Sequence, residues 1–258
     1  MTPWCSGARA WKGHGSASQA LPVPTSEEVL PVGEMVSFPS NGDSCDGYLA
    51  LPESGDGPGV IVIQEWWGLV DHIKDLADRF AAEGFVALAP DFFHGATTDE
   101  PDEAQRLLMG LAMDRAAKDI QGAAQYLAGR DDVSGNGVGV VGFCMGGSLA
   151  LWSGALADEV KVAVGFYPAV PWEKMSPTWG NYANKSAMIH ASEEDGTSKA
   201  DGIQAAVKGI QEAGGDVEVY DYPGSSHAFF NDQRPEVHSK EHSEQAWRRT
   251  LDLLKGRL

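Results

Sequence analysis

Positive charge is scarce in this sequence. Lys and Arg number 19 against 37 Asp and Glu, a formal net charge of −18. Such a surface repels phosphates, which argues against nucleic acids and anionic membranes as partners. Cysteine is scarce too: Cys5, Cys45 and Cys144 are the only three. An odd, sparse set is no disulfide framework, and no CxxC pair is present to hold a structural zinc. A reducing, cytoplasmic compartment fits this usage, with no metal and no cofactor expected. No run approaches the ~18 apolar residues of a membrane span, and the N-terminal segment lacks the apolar stretch of a secretory signal. Residues 1–32 are rich in Gly, Ser, Ala and Pro and read as a flexible extension.

What remains is an ordinary globular chain. It has 258 residues, 43% of them hydrophobic and 22% charged, which suits one large domain over residues 33–258. "EMVSFPS" and "CDGYLALP" alternate and are joined by Asn41-Gly42, a hairpin signal. "GVIVIQE", "FVALAPDFF", "GVGVVGF", "VKVAVGFYP", "KSAMIHAS" and "GDVEVYDYP" read as strands, most of them buried on both faces. Between them lie helical periodicities: 70–84, one or two helices over 102–128, 145–156 and 199–213, with a last one near 237–254. Strand–helix alternation of this kind predicts an α/β fold: a mostly parallel central sheet with helices on both faces and an N-terminal antiparallel hairpin.

The stretch "GVGVVGFCMGGSLAL" (Gly137–Leu151) fits two signatures. Gly137, Gly139 and Gly142 satisfy G-x-G-x-x-G, but in a dinucleotide site those glycines follow the strand and open a helix. Here they alternate with the valines of the strand itself. Gly142-Phe143-Cys144-Met145-Gly146 instead matches a nucleophile elbow with cysteine in place of serine: strand, sharp turn, helix. The alternative is a buried cysteine in a glycine-rich turn.

An elbow nucleophile in such a fold is followed by an acid and then a histidine, each on a loop after a later strand. His190 lies within a predicted strand and reads as packed. Asp195 sits in "EEDGTS" directly after that strand, with Glu193 and Glu194 as neighbouring acids, and His227 sits in "PGSSHAFF" after the last strand. The expected order Cys144, Asp195, His227 is met. His238 and His242 also complete H-x-x-E-H, a zinc-protease pattern. Few candidates for a third metal ligand follow it, so a polar helix start is the preferred account.

With these residues in place, the chain from about Gly33 onward resembles the dienelactone hydrolase family of α/β-hydrolases. The resemblance rests on "IVIQEWWGLVDHIKDLADRFAAEGFVALAPDFF", "VGFCMGG", "ASEEDGTS" and "GSSHAFFNDQRPE", in that order. It implies the α/β-hydrolase fold and a triad of Cys144, Asp195 and His227. It also implies an auxiliary glutamate, Glu65, and an oxyanion hole from the backbone N–H groups of Trp66 and Met145. The family's dienelactone enzymes hold a substrate carboxylate with two arginines. Here the first place reads "FFHG", with Gly95 nearby, and the second is Asn231, so either Arg234 substitutes in part or the substrate is neutral.

A thiol nucleophile restricts the substrate. The tetrahedral adduct collapses forward only if the leaving oxygen is at least as stable as the thiolate, which favours enolates and phenolates over plain alkoxides. The expected activity is therefore hydrolysis of enol-lactones or activated carboxylic esters through a thioester, with a broader esterase or thioesterase as the alternative. A non-catalytic binding protein is the remote one. The expected partner is a small-molecule lactone or ester. Trp66, Trp67, Phe92, Phe93, Tyr167 and Phe229 are candidates for pocket lining, each with core packing as the competing reading. Oligomeric state is left open.

Overall fold

The computed structural model describes residues 33–40, 42–169, 175 and 177–258. The extension at 1–32 and Asn41 of the expected hairpin turn lie outside the described residues. The strands are β1 (Glu34–Ser40), β2 (Asp43–Ala50), β3 (Gly57–Ile63), β4 (Val86–Pro90), β5 (Val133–Phe143), β6 (Val160–Phe166), β7 (Ser186–Ser192) and β8 (Asp216–Tyr222). The helices are α1 (Asp71–Ala82), α2 (Pro101–Gly110), α3 (Met113–Ala128), α4 (Met145–Leu156), α5 (Asp201–Glu212) and α6 (Lys240–Arg257).

All eight strands form one sheet in the order β1-β2-β4-β3-β5-β6-β7-β8. The antiparallel pairs are β1–β2 and β2–β4. From β4 to β8 every pairing is parallel. The expected sheet and antiparallel N-terminal pair are both present.

The strand sequences explain the two-faced core. Along β3, Val60 and Val62 face one layer, with Ile73, Leu76 and Phe80 of α1 and Leu254 of α6. Ile61 and Ile63 face the other, with Ile120 and Leu127 of α3, Leu149 of α4 and Ile210 of α5. Period-two alternation sends successive β-branched residues to opposite faces, so a strand covered on both sides must be apolar throughout. Helix α1 buries Ile73, Leu76, Ala77 and Phe80, a stripe at helical spacing, and ends before Gly84, whose φ of 94° only glycine adopts without strain. Truncating Phe80 to Ala would open a cavity in this layer at a cost of about 3–5 kcal/mol.

Two boundaries differ from expectation. β5 begins at Val133, ahead of the valine run, because "VSGNG" continues the strand through a register shift against β3. Of the one or two helices expected over 102–128, two form, broken where Leu111 and Ala112 turn extended. The last helix starts at Lys240 with Ser239 as its N-cap, so His238 precedes it and cannot share a helical face with His242. His242 instead packs edge-on against Tyr222 and Phe229.

In a parallel sheet the carboxyl ends of the strands lie along one edge. The segments leaving β3, β4, β5, β6, β7 and β8 carry Glu65, Asp91, Cys144, Tyr167, Asp195 and His227 respectively. The topology thus gathers widely separated residues on one rim.

Candidate active site

Cys144 stands between the last residue of β5 and the first of α4, with φ 55° and ψ −116°. A non-glycine residue seldom adopts such a backbone, and the surrounding packing holds it there. A Cβ on Gly142 would collide with the carbonyl oxygen of Gly146, and one on Gly147 with that of Phe166. The amide of Cys144 donates to Phe166 O at 3.0 Å, tying the turn to β6. Met145 is the first residue of α4, so its amide is among the N–H groups left without an intrahelical partner at a helix start.

His227 Nδ1 donates to Asp195 Oδ2 at 2.6 Å. Asp195 Oδ2 also accepts from Ser192 Oγ at 2.9 Å. With Nδ1 engaged, Nε2 is the ring nitrogen left for a second partner, and Cys144 is near enough to act on the ring. Burial disfavours the imidazolium, but the bond to Asp195 and the neighbouring Cys144 and Asp195 charges outweigh it and push His227 up to about 10. Burial acts on Asp195 in the opposite sense to its bonds with His227 and Ser192, and the bonds prevail: its carboxyl is held below the usual range. The expected Cys144, Asp195 and His227 are therefore brought together.

Glu65 is 3% exposed. Its Oε2 accepts from Asn231 Nδ2 at 3.1 Å, and its Oε1 accepts from Tyr167 OH at 3.4 Å. Burial raises its carboxyl, opposed by these two bonds and by the positive charges of His227 and Arg234. Tyr167 is wholly buried, has φ 38°, and lies edge-on to the His227 ring at 5.0 Å between centroids. Burial and the neighbouring Glu65 and Cys144 charges raise its phenol well above the ordinary value, so it stays a donor.

The aromatic candidates divide. Trp66, Trp67 and Phe93 are half-buried, with the two indoles edge to face at 5.0 Å. Phe92 and Phe229 are core residues; Phe229 is 0% exposed, packed on Tyr167 and Tyr222, and presents no surface to a ligand. Asn231 is 4% exposed and engaged with Glu65, so its amide serves the site's interior. His190 is packed, as expected, with Nδ1 on Tyr222 OH and Nε2 on Thr250 Oγ1. The sequence reading missed the Glu65 bonds of Tyr167 and Asn231 and the role of Ser192, whose only signal was a hydroxyl three residues before Asp195.

Comparison with known proteins places the chain in a family. The model of the dienelactone hydrolase family matches residues 45–258. Protein usf of Aquifex pyrophilus is 37% identical over 231 residues, covering 87% of this chain and 98% of the relative. A protein of Aquifex aeolicus, provisionally named a carboxymethylenebutenolidase, is 33% identical over 233 residues, with the same coverage of 87% and 98%. The crystal structure of a dienelactone hydrolase-like promiscuous phosphotriesterase from metagenomic libraries superposes with a TM-score of 0.73 at 22% identity, covering 87% of this chain and 97% of that one, a likeness of fold. On the family match and these relatives, the chain belongs to the dienelactone hydrolase family and is a hydrolase of the carboxylic ester and lactone class.

Proposed function

We propose that this hydrolase acts on enol-lactones or activated carboxylic esters through a Cys144 thioester. The observation that carries the reading is His227, hydrogen-bonded to Asp195 and close enough to Cys144 to be shifted by it, beside a cysteine held in an elbow conformation.

His227 takes the thiol proton of Cys144, and Asp195 orients and stabilises the resulting imidazolium. The thiolate adds to the substrate carbonyl. The oxyanion is received by the N–H groups of Trp66 and Met145, the latter at the positive end of α4. Collapse breaks the acyl C–O bond, and the imidazolium returns its proton to the departing enolate or phenolate. His227 then draws a proton from water, whose oxygen attacks the thioester; collapse releases the acid and the thiolate, which regains its proton. Glu65 acts as an alternative hydrogen-bond partner or auxiliary base for Cys144. Trp66, Trp67 and Phe93 line the approach.

A second reading is a broader esterase or thioesterase on the same triad. It is favoured by the engagement of Asn231 with Glu65, which leaves that side chain unavailable to a substrate carboxylate. The test is p-nitrophenyl acetate followed in the first turnover: a burst in the intact protein, absent in Cys144→Ala. A panel of a dienelactone, a neutral enol-lactone and simple alkyl esters then separates the readings. Higher kcat/KM on simple alkyl esters than on enol-lactones would overturn the first.

A further inference from the structure

Two strands away from the triad, at the β2–β4 side of the sheet, lies a second set of chemistry-bearing side chains. Cys45 comes from β2, His94 from the turn after β4 and Asp119 from α3. One ligand atom from each, Sγ, a ring nitrogen and a carboxylate oxygen, lies within 4.8 Å of the others. Cys45 and Asp119 are each 1% exposed, while the His94 side chain is 27% exposed and leaves an approach from solvent.

The surroundings hold each group in place. Asp119 Oδ1 accepts from Ser40 Oγ, and Oδ2 faces His94 Nε2 at 3.0 Å. Asp91 accepts the amides of Phe93 at 3.1 Å and Gly95 at 2.5 Å, and the turn so fixed sets His94 at φ 51°. Arg115 donates to His94 Nδ1 at 3.2 Å. Because arginine only donates, Nδ1 is the acceptor and the proton sits on Nε2, between the ring and Asp119.

We propose that Cys45 Sγ, His94 Nε2 and Asp119 Oδ2 form a site for a divalent transition metal of the zinc class, separate from the triad. Mixed S, N and O donors suit that class, in which three protein ligands and one water complete a tetrahedron. Bond lengths of about 2.0–2.3 Å imply ligand separations of roughly 3.3–3.8 Å, so small side-chain rotations close the present arrangement. The balance is one proton: the Cys45 thiol loses it to solvent, whereas neutral His94 moves its own from Nε2 to Nδ1. Arg115 then turns from Nδ1 toward Asp43, already 3.6 Å away. The ion would pin the 91–97 turn, and with it Phe93 at the substrate approach and the tie from Thr98 N to Trp67 O at 3.1 Å.

The test uses the full chain carrying Cys144→Ala, which removes the triad thiol as a competing ligand. After dialysis against a chelator it is titrated with Co2+ and followed by absorption. Expected are uptake of one equivalent, a thiolate-to-cobalt charge-transfer band and visible tetrahedral bands, all displaced by Zn2+. Adding Cys45→Ser should abolish the charge-transfer band. His94→Gln, at a partly exposed position and with folding checked by circular dichroism, should weaken binding at least ~10-fold, since even outer-shell changes cost about 10–100-fold. Absent uptake, or uptake and spectra unchanged by both substitutions, would overturn the proposal.

Discussion

The side-chain amide of Asn231 donates to Oε2 of Glu65 at 3.1 Å, joining residues 166 positions apart in the chain. The bond satisfies a carboxyl that burial has raised above its ordinary value. Asn231→Leu removes the donor, keeps the volume similar, and leaves Oε2 without that partner. The expected loss is about 1–3 kcal/mol of folding stability, read by urea denaturation. The sign with pH also follows. A carboxyl whose folded pKa lies above the unfolded one costs stability as pH rises from the unfolded value through the folded one. Losing Asn231 raises Glu65 further, so the deficit should grow from mildly acidic to mildly alkaline buffer. A deficit independent of pH would rule this account out.

Glu65→Gln keeps the shape of the site and removes the titratable oxygen. If Glu65 assists Cys144, acylation by an enol-lactone should slow by about 10²-fold, the lower end of what a positioned base contributes. Stopped-flow measurement of the acylation phase decides it. Unchanged acylation would assign Glu65 to packing and hydrogen bonding alone.

His227 carries its own pH prediction. Its pKa is raised to about 10 by Asp195 and Cys144, against the effect of burial. A raised base contributes stability that is full below its unfolded pKa and is lost as pH rises through the folded value. The stability that the charged imidazole gains beside Asp195 should therefore decline as pH rises toward 10, read by urea denaturation across that range. In Cys144→Ala the raising influence of Cys144 vanishes. An NMR titration of the ring should then find its pKa lower than in the intact protein, and an unchanged value would break the Cys144–His227 link.

The two described cysteines should differ sharply toward alkylation. Burial, then the charges of Asp119 and Asp91, push the Cys45 thiol up to about 12, and its side chain is inaccessible. Cys144 is partly exposed beside His227. Brief iodoacetamide treatment at neutral pH, mapped by peptide mass spectrometry, should label Cys144 and spare Cys45. Equal labelling of the two would contradict both environments.

Much of this was legible because the deciding signals are local. The valine run, the glycines around Cys144 and the apolar helix after it announce an elbow within a short stretch. Asp195 and His227 stand immediately after recognisable strands, so chain order sufficed to pair them. The start of β5 was hidden because "VSGNG" carries turn residues yet pairs through a register shift against β3. Tyr167 reads as one more core aromatic; its left-handed backbone and its bond to Glu65 exist only once β6 lies between β5 and β7. Phe229 follows the His227 loop residue by two positions, and only the packing of Tyr167 and Tyr222 against it shows that it is core. Cys45, His94 and Asp119 come from three separate segments, with no spacing rule to connect them.

The close approaches at Gly142 and Gly147 separate two kinds of freedom in the elbow. The flanking positions admit no side chain, so substitution there disturbs the backbone. Position 144 carries a half-buried side chain, and a serine hydroxyl would occupy less room than the thiol. The turn thus works as a socket whose shape is insensitive to whether position 144 carries sulfur or oxygen. Exchanging sulfur for oxygen would retune the range of leaving groups while leaving the architecture of the domain alone.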